Sequence, residues 1–207
     1  MSEDTKERII IEAQNLFCIN GIKRITMDEI AERMSISKRT IYENFKDKNE
    51  LVLECLRHLQ KQFENEEKQI EANYNNVVEI MMYHTLLIQN SLKNISLQFW
   101  EDLKNIKFPE DYHNKKSEEK RIKLEMAIQR GIREGYYRES VNAEVVSIAF
   151  CNGIRNLVKD CIETNPKLNI NNIVTMFISI LLRGICTNKG LEICDKLEKR
   201  ITFNFMQ

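Results

Sequence analysis

Lys38, Arg39, Thr40, Tyr42 and Asn44 fall within seven residues. At helical spacing they lie away from Ile41 and Phe45, which sit four apart on the other side. Each of the five side chains carries a hydrogen-bond donor, and two are cationic. A helix face of this kind suits the major groove of double-stranded DNA. There an arginine reaches guanine edges, a threonine methyl meets thymine, and a lysine or tyrosine reaches phosphate oxygens. Arg39, a long cationic arm near the start of the helix, is the leading candidate for base reading.

The elements that must hold this face are readable on either side of it. Thr26 with Glu29 forms a capping-box signal, and Ile30, Ala31 and Met34 follow on one helical face. Met34-Ser35-Ile36 makes a turn, and Ser37 caps the donor-bearing helix. Upstream, Asp4 and Glu7 signal another start. Ile9, Ala13, Leu16 and Phe17 form a stripe that Gly21 ends. Downstream, Asp47 and Glu50 cap a helix carrying Val52, Cys55, Leu56, Leu59 and Phe63, which runs to about Ile70. Lys48 lies in its first turn, where backbone N–H groups can join it at a phosphate. The expected DNA-contacting set is Thr26, Ser37, Lys38, Arg39, Thr40, Tyr42, Asn44 and Lys48.

Thr26-x-x-x-Ile30-Ala31, Ser37-x-x-Thr40 and Tyr42-x-x-Phe45-x-x-Lys48-x-x-Leu51 together resemble the TetR/AcrR family of bacterial transcriptional regulators. The resemblance covers roughly residues 4 to 64 and is much looser beyond. It implies an all-α protein: a three-helix helix-turn-helix domain, a fourth helix as connector (residues 4–64 in all), and a larger helical effector-binding and dimerisation domain over 65–207. It also implies a homodimer on a palindromic operator, repressing until a small-molecule effector releases it. Two positions depart from the family. Ser35 stands where many members have Gly in the turn; if the position needs positive φ, Ser costs on the order of 1 kcal/mol. Arg39 stands where many have a small residue, so other members' base preferences do not transfer.

Composition agrees with an all-helical protein. The chain has 207 residues, 43% of them apolar, with only 6 Gly and 2 Pro. Its 31 Lys/Arg balance 31 Asp/Glu. Residues 1–50 carry 9 Lys/Arg against 10 Asp/Glu, so DNA binding has to rest on where charges lie. Lys23, Arg24, Lys38, Arg39, Lys46 and Lys48 cluster around the ends of the two short helices. The six cysteines (18, 55, 151, 161, 186, 194) and three histidines (58, 84, 113) show no zinc spacing. No metal or cofactor is expected. Redox sensing is an option at Cys186 or Cys194, near the end of the chain. No nucleophile–base pattern points to catalysis. No signal peptide or membrane span is evident, so the expected location is cytoplasmic.

Beyond residue 76 the pattern becomes core-like. Val77–Leu92 is apolar nearly all round, and 95–106 carries Phe99, Trp100, Leu103 and Ile106 on one side. Pro109 to Lys116 reads as a loop before a charged helix over 117–134. Gly135-Tyr136-Tyr137-Arg138 turns the chain, Asn142 caps the next helix, and Asn165-Pro166 breaks it. Helices over about 142–163 and 170–187 have wide apolar faces with Gly153 and Gly184. By the resemblance they form a four-helix dimer interface. A last amphipathic segment covers 195–205. Met81, Met82, Tyr83, His84, Phe99, Trp100 and Phe150 are the candidate lining of an effector site for an apolar or aromatic molecule. The neutral N-terminal half and Ser35 keep an alternative open: a helical ligand-binding or adaptor protein that has lost DNA binding.

Overall fold

A computed structural model describes residues 3–106, 110–164 and 169–204. Ten helices are described: α1 (Glu3–Asn20), α2 (Met27–Arg33), α3 (Lys38–Asn44), α4 (Lys48–Asn73), α5 (Val77–Lys93), α6 (Leu97–Leu103), α7 (Glu110–Arg133), α8 (Ala143–Thr164), α9 (Ile170–Ile185) and α10 (Asn188–Asn204). Among the described residues the sole β pairing is an isolated antiparallel bridge between Tyr137 and Cys186. The all-α expectation holds. No helix among them is long and apolar enough to cross a membrane.

The chain divides into two compact units. The first comprises Met1–Asn65 together with Lys93–Phe108, and the second Glu66–Leu92 with Pro109–Gln207. The first therefore takes in α6 besides the stretch identified from the helix-turn-helix motifs. Its core closes around Ile9, Ala13, Phe17, Ile30, Ile41, Phe45, Leu51 and Val52, all almost fully buried, with Phe99 of α6 added. The α1 stripe thus packs where its periodicity predicted.

Local signals fix the ends of these helices. Thr26 Oγ1 accepts from Glu29 N–H while the Glu29 carboxylate accepts from Thr26 N–H, which completes the capping box. After α2, Ser35 N–H bonds Glu32 O and Ile36 N–H bonds Ala31 O. These are the two bonds of a Schellman turn, which needs its C′ residue in the left-handed region. Ser35 takes that place with φ 54°, and Gly21 takes the equivalent one after α1 with φ 85°. Ser37 Oγ accepts from Thr40 N–H to start α3. Asp47 accepts from Glu50 N–H, and Glu50 accepts from Lys46 N–H, to start α4.

Several boundaries differ from expectation. α1 opens at Glu3, so Asp4 lies inside its first turn and is not its cap. α7 begins at Glu110, where a loop to Lys116 was expected. α10 begins at Asn188, seven residues before the expected segment. The α8 cap at Asn142 is present, with its side chain accepting from Val145 N–H. The expected break at Asn165-Pro166, and Pro109 itself, lie outside the described residues.

In the second unit, α8 packs on both α7 and α9. Gly153 allows the α8–α9 approach: a Cβ there would stand 2.2 Å from the Phe177 ring. Gly184 meets nothing within 4 Å. α8 leaves Val145 and Ile148 exposed, and α9 leaves Met176 and Ile180 exposed.

Candidate functional site

The donor face of α3 is assembled as the sequence implies. Lys38, Arg39 and Tyr42 are exposed, and Ile41 behind them is fully buried in the first unit's core. Thr26 and Ser37 are exposed caps whose side-chain oxygens are occupied by helix N–H groups. Thr40 Oγ1 shares a 2.8 Å hydrogen bond with Ser37 Oγ. Asn44 is half-buried, and its amide donates to Thr40 O at 2.7 Å. The helix therefore has both ends fixed and its donor side open.

The cations on this face hold acidic partners. Lys38 Nζ pairs with Asp28 at 2.7 Å and lies 5.9 Å from the Tyr42 ring centroid. The hydrogen bond to Asp28 raises its pKa above the ordinary lysine value. Arg39 Nε donates to Glu43 at 2.9 Å, with the arginine side chain 87% exposed. Exposed pairs of this kind contribute only about 0–1 kcal/mol. A bidentate arginine–guanine contact discriminates by about 1–3 kcal/mol. The pair is thus weak enough for Arg39 to exchange Glu43 for a stronger acceptor.

Lys48 occupies a different environment. Its ammonium donates to Lys23 O at 3.3 Å and lies 5.9 Å from the Phe17 ring centroid. Partial burial lowers its pKa. Lys23 is held from its other side by Asp102 of α6, a carboxylate only 1% exposed. Asp102 accepts from Lys23 N–H at 2.7 Å and from the Gln98 amide at 2.9 Å. Gly21 makes room for this clamp, because a Cβ there would stand 2.5 Å from Gln98 Cγ. Asp102 lies 79 residues from the backbone it holds and was not among the expected site residues.

The candidate effector residues do not converge. Phe99 and Trp100 belong to the first unit's core, edge to face at 5.8 Å. In the second unit Met81 is buried, Tyr83 stacks on Tyr74 at 4.1 Å, and Phe150 lies 6.4 Å from Phe177. The buried His84 Nε2 finds no hydrogen-bond partner among the described residues.

A cavity of about 260 Å³ lies elsewhere in the second unit, among α5, α9 and α10. Met82, Leu86 and Leu182 give it apolar walls, while Thr85, Gln89, Thr175 and Ser179 add hydroxyl and amide groups. Arg183, Glu198 and Cys194 complete it. The Arg183 guanidinium bonds Asp195 at 2.7 Å and Glu198 at 2.8 Å, which holds it firmly cationic. Of the candidate effector residues only Met82 lines this space. A signal was present: Met82, Thr85, Leu86 and Gln89 repeat at i, i+3, i+4 and i+7. Among the described residues no three metal-capable side chains converge.

Comparison with known proteins agrees with this geometry. Residues 9–55 match the model of the bacterial regulatory proteins, tetR family. An HTH-type transcriptional regulator of Staphylococcus aureus is 32% identical over 78 residues, covering 38% of this chain and 42% of the relative. One from the USA300 strain of that species is 30% identical over 97 residues, covering 46% and 52%. The matches thus span about half the length of these relatives. Among solved structures, a transcriptional regulator from Saccharomonospora viridis in complex with choline aligns with a TM-score of 0.72 at 17% identity, over 90% of this chain and 100% of that one. A TetR/AcrR-family regulator from Thermobifida fusca aligns at 0.65 and 20%, over 88% and 98%. These structural matches establish a shared fold. Residues 9–55 therefore form a DNA-binding domain of the tetR family of bacterial regulatory proteins, and the chain shares the fold of TetR/AcrR-family regulators along nearly its whole length.

Proposed function

We propose that this protein is a cytoplasmic, homodimeric, sequence-specific DNA-binding repressor whose grip on a palindromic operator is released by a small molecule. The observation that carries the reading is the α3 face: exposed Lys38, Arg39 and Tyr42 on a helix capped at its start and backed by a sealed core. In this reading the first unit is the DNA-binding domain. Arg39 reads a base edge, Lys38 and Tyr42 reach phosphates, and Lys48 meets a phosphate at the start of α4. The second unit binds effector and dimerises through α8 and α9, where Val145, Ile148, Met176 and Ile180 supply apolar surface for a second copy.

The two α3 helices of the dimer enter successive major grooves, with half-site centres about 34–36 Å apart. The effector has to favour a dimer geometry that no longer matches that spacing, since a ligand shifts an equilibrium only by its differential affinity for the two states. The α5/α9/α10 cavity is the better-supported effector site. Its volume lies just under the usual range for drug-sized ligands, and its walls fit a compact molecule with an apolar body and a hydrogen-bonding end.

The test is selection of bound duplexes from a random DNA pool at low and moderate salt. Enrichment of a palindrome with one-turn half-site spacing is the expected result. Binding without enrichment, or none, would favour the second reading, a helical ligand-binding module without operator recognition. The observation behind that alternative is that both α3 cations are already paired with carboxylates, in a chain with no net charge.

A further inference from the structure

Two thiols meet at the junction of α9 and α10. Cys186 caps the end of α9 in an extended conformation, and Cys194 lies in the second turn of α10. Both are buried, and Cys186 Sγ packs against Gly190, one turn before Cys194 on the same face of α10. Gly190 keeps the space open, because a Cβ there would stand 3.1 Å from Cys186 Sγ and 2.4 Å from Tyr136 O. Cys194 also forms part of the cavity wall, beside Arg183. A small molecule entering the cavity therefore meets Cys194, whose helix face also carries the contact with Cys186.

The surroundings make the two sulfurs unequal. The neighbouring Cys186 thiol, helped by the Arg183 charge, lowers the Cys194 pKa; burial and the carboxylates of Asp195 and Glu198 oppose the shift. Cys194 and burial in turn raise Cys186, with Arg183 and Arg138 acting against them. Tyr137, bridged to Cys186, has a buried hydroxyl with no hydrogen-bond partner among the described residues. Elsewhere, burial pushes Cys18 up to about 11 and raises Cys55 and Cys151 as well. A lowered pKa marks the attacking thiol of a reactive pair.

We propose that Cys194 and Cys186 form a peroxide-reactive dithiol, with Cys194 the attacking sulfur and Cys186 the resolving one, converted to an intramolecular disulfide by a small hydroperoxide admitted through the cavity. In the first step the Cys194 thiolate attacks one peroxide oxygen. The O–O bond breaks, the other oxygen leaves as water or an alcohol after taking up a proton, and Cys194 becomes a sulfenic acid. The Cys186 sulfur then attacks the Cys194 sulfur. The S–S bond forms, the S–O bond breaks, and the hydroxide leaves as water with the Cys186 proton. The two thiols lose two electrons and the peroxide gains them.

The test uses the reduced full-length protein and hydrogen peroxide, read by intact mass and peptide mapping, and needs no DNA. The expected result is loss of two hydrogens and a peptide linked through Cys186 and Cys194. Cys186→Ser should accumulate a dimedone-trappable sulfenic acid at Cys194, and Cys194→Ser should leave Cys186 unmodified. Linkage between molecules, prior oxidation of Cys151, or a single variant that behaves like the parent overturns the proposal. If a variant does not fold, the parent's peptide map decides alone, by presence or absence of the 186–194 linkage.

Discussion

In the first unit the apolar side chains close on one another: Ile9, Ala13, Ile30, Ile41 and Leu51 have no exposed surface. In the second unit Val145, Ile148, Met176 and Ile180 face outward, a cavity of about 260 Å³ opens among three helices, and His84 Nε2 and the Tyr137 hydroxyl have no hydrogen-bond partner among the described residues. A helix that reads base edges has to hold its side chains in place, and a core at crystal-like density resists displacement. A region that admits ligand and meets a second copy needs unfilled space and uncovered apolar surface. The same residue types thus serve rigidity in one unit and vacancy in the other.

Overpacking tests that contrast with the largest expected effect. Ala13→Leu inserts carbons where no room exists and should destabilise the first unit by about 1–3 kcal/mol. Ser179→Leu points into the cavity and should change the second unit by less than about 1 kcal/mol while blocking ligand. Hydrogen exchange resolved by unit measures both, and equal losses would erase the distinction. Arg39→Ala comes next: it should weaken the selected operator by about 1–3 kcal/mol and relax one base position. Uniform weakening on all sequences would make Arg39 a phosphate contact. Lys48→Ala should weaken specific and non-specific DNA alike and lower the salt slope by about one unit; an unchanged slope removes its phosphate role.

Two smaller effects probe how firmly the reading helix is mounted. Ser35→Gly relieves a non-glycine residue at φ 54° and should stabilise the first unit by up to about 1 kcal/mol in denaturant titrations. The last concerns pH. Hydrogen bonds from Thr26 N–H and Oγ–H hold the Glu29 pKa below its usual 4.5. A depressed carboxylate adds stability above the unfolded-state pKa and loses it as pH falls through the folded one. The stability gap between parent and Glu29→Gln should therefore be open near neutrality and close below about pH 4.5. A gap that stays constant on acidification would show that the charge of Glu29 does not matter.

The first four helices were readable because their signals are local. Thr26 with Glu29, Ser37 with Thr40, and the stripe Ile9–Phe17 each lie within two or three turns. The αL position of Ser35 was legible only through the family resemblance, in which many members carry Gly at that place. What escaped reading is non-local or ambiguous. Nothing near Asp102 announces that it will bond the backbone of Lys23, and Phe99 and Trp100 look equally at home in either unit. The cavity was hidden because Thr175 and Ser179 sit in an otherwise apolar helix, where small hydroxyl residues pass for core. The opening of α7 was missed because its first turns are polar, although Glu110 and Asp111 follow a proline, a common way to begin a helix.

The Asp102 clamp also bears on when this protein can become competent. α6 belongs to the first unit, yet the ribosome makes it only after α5 of the second. The roughly 80 residues separating Lys23 from Asp102 take about 4–16 s to synthesise at 5–20 residues per second. During that interval the nascent helix-turn-helix lacks its buried carboxylate and the Phe99 ring. A fragment cut after α4 would carry the same deficit permanently, however complete its motif looks on paper.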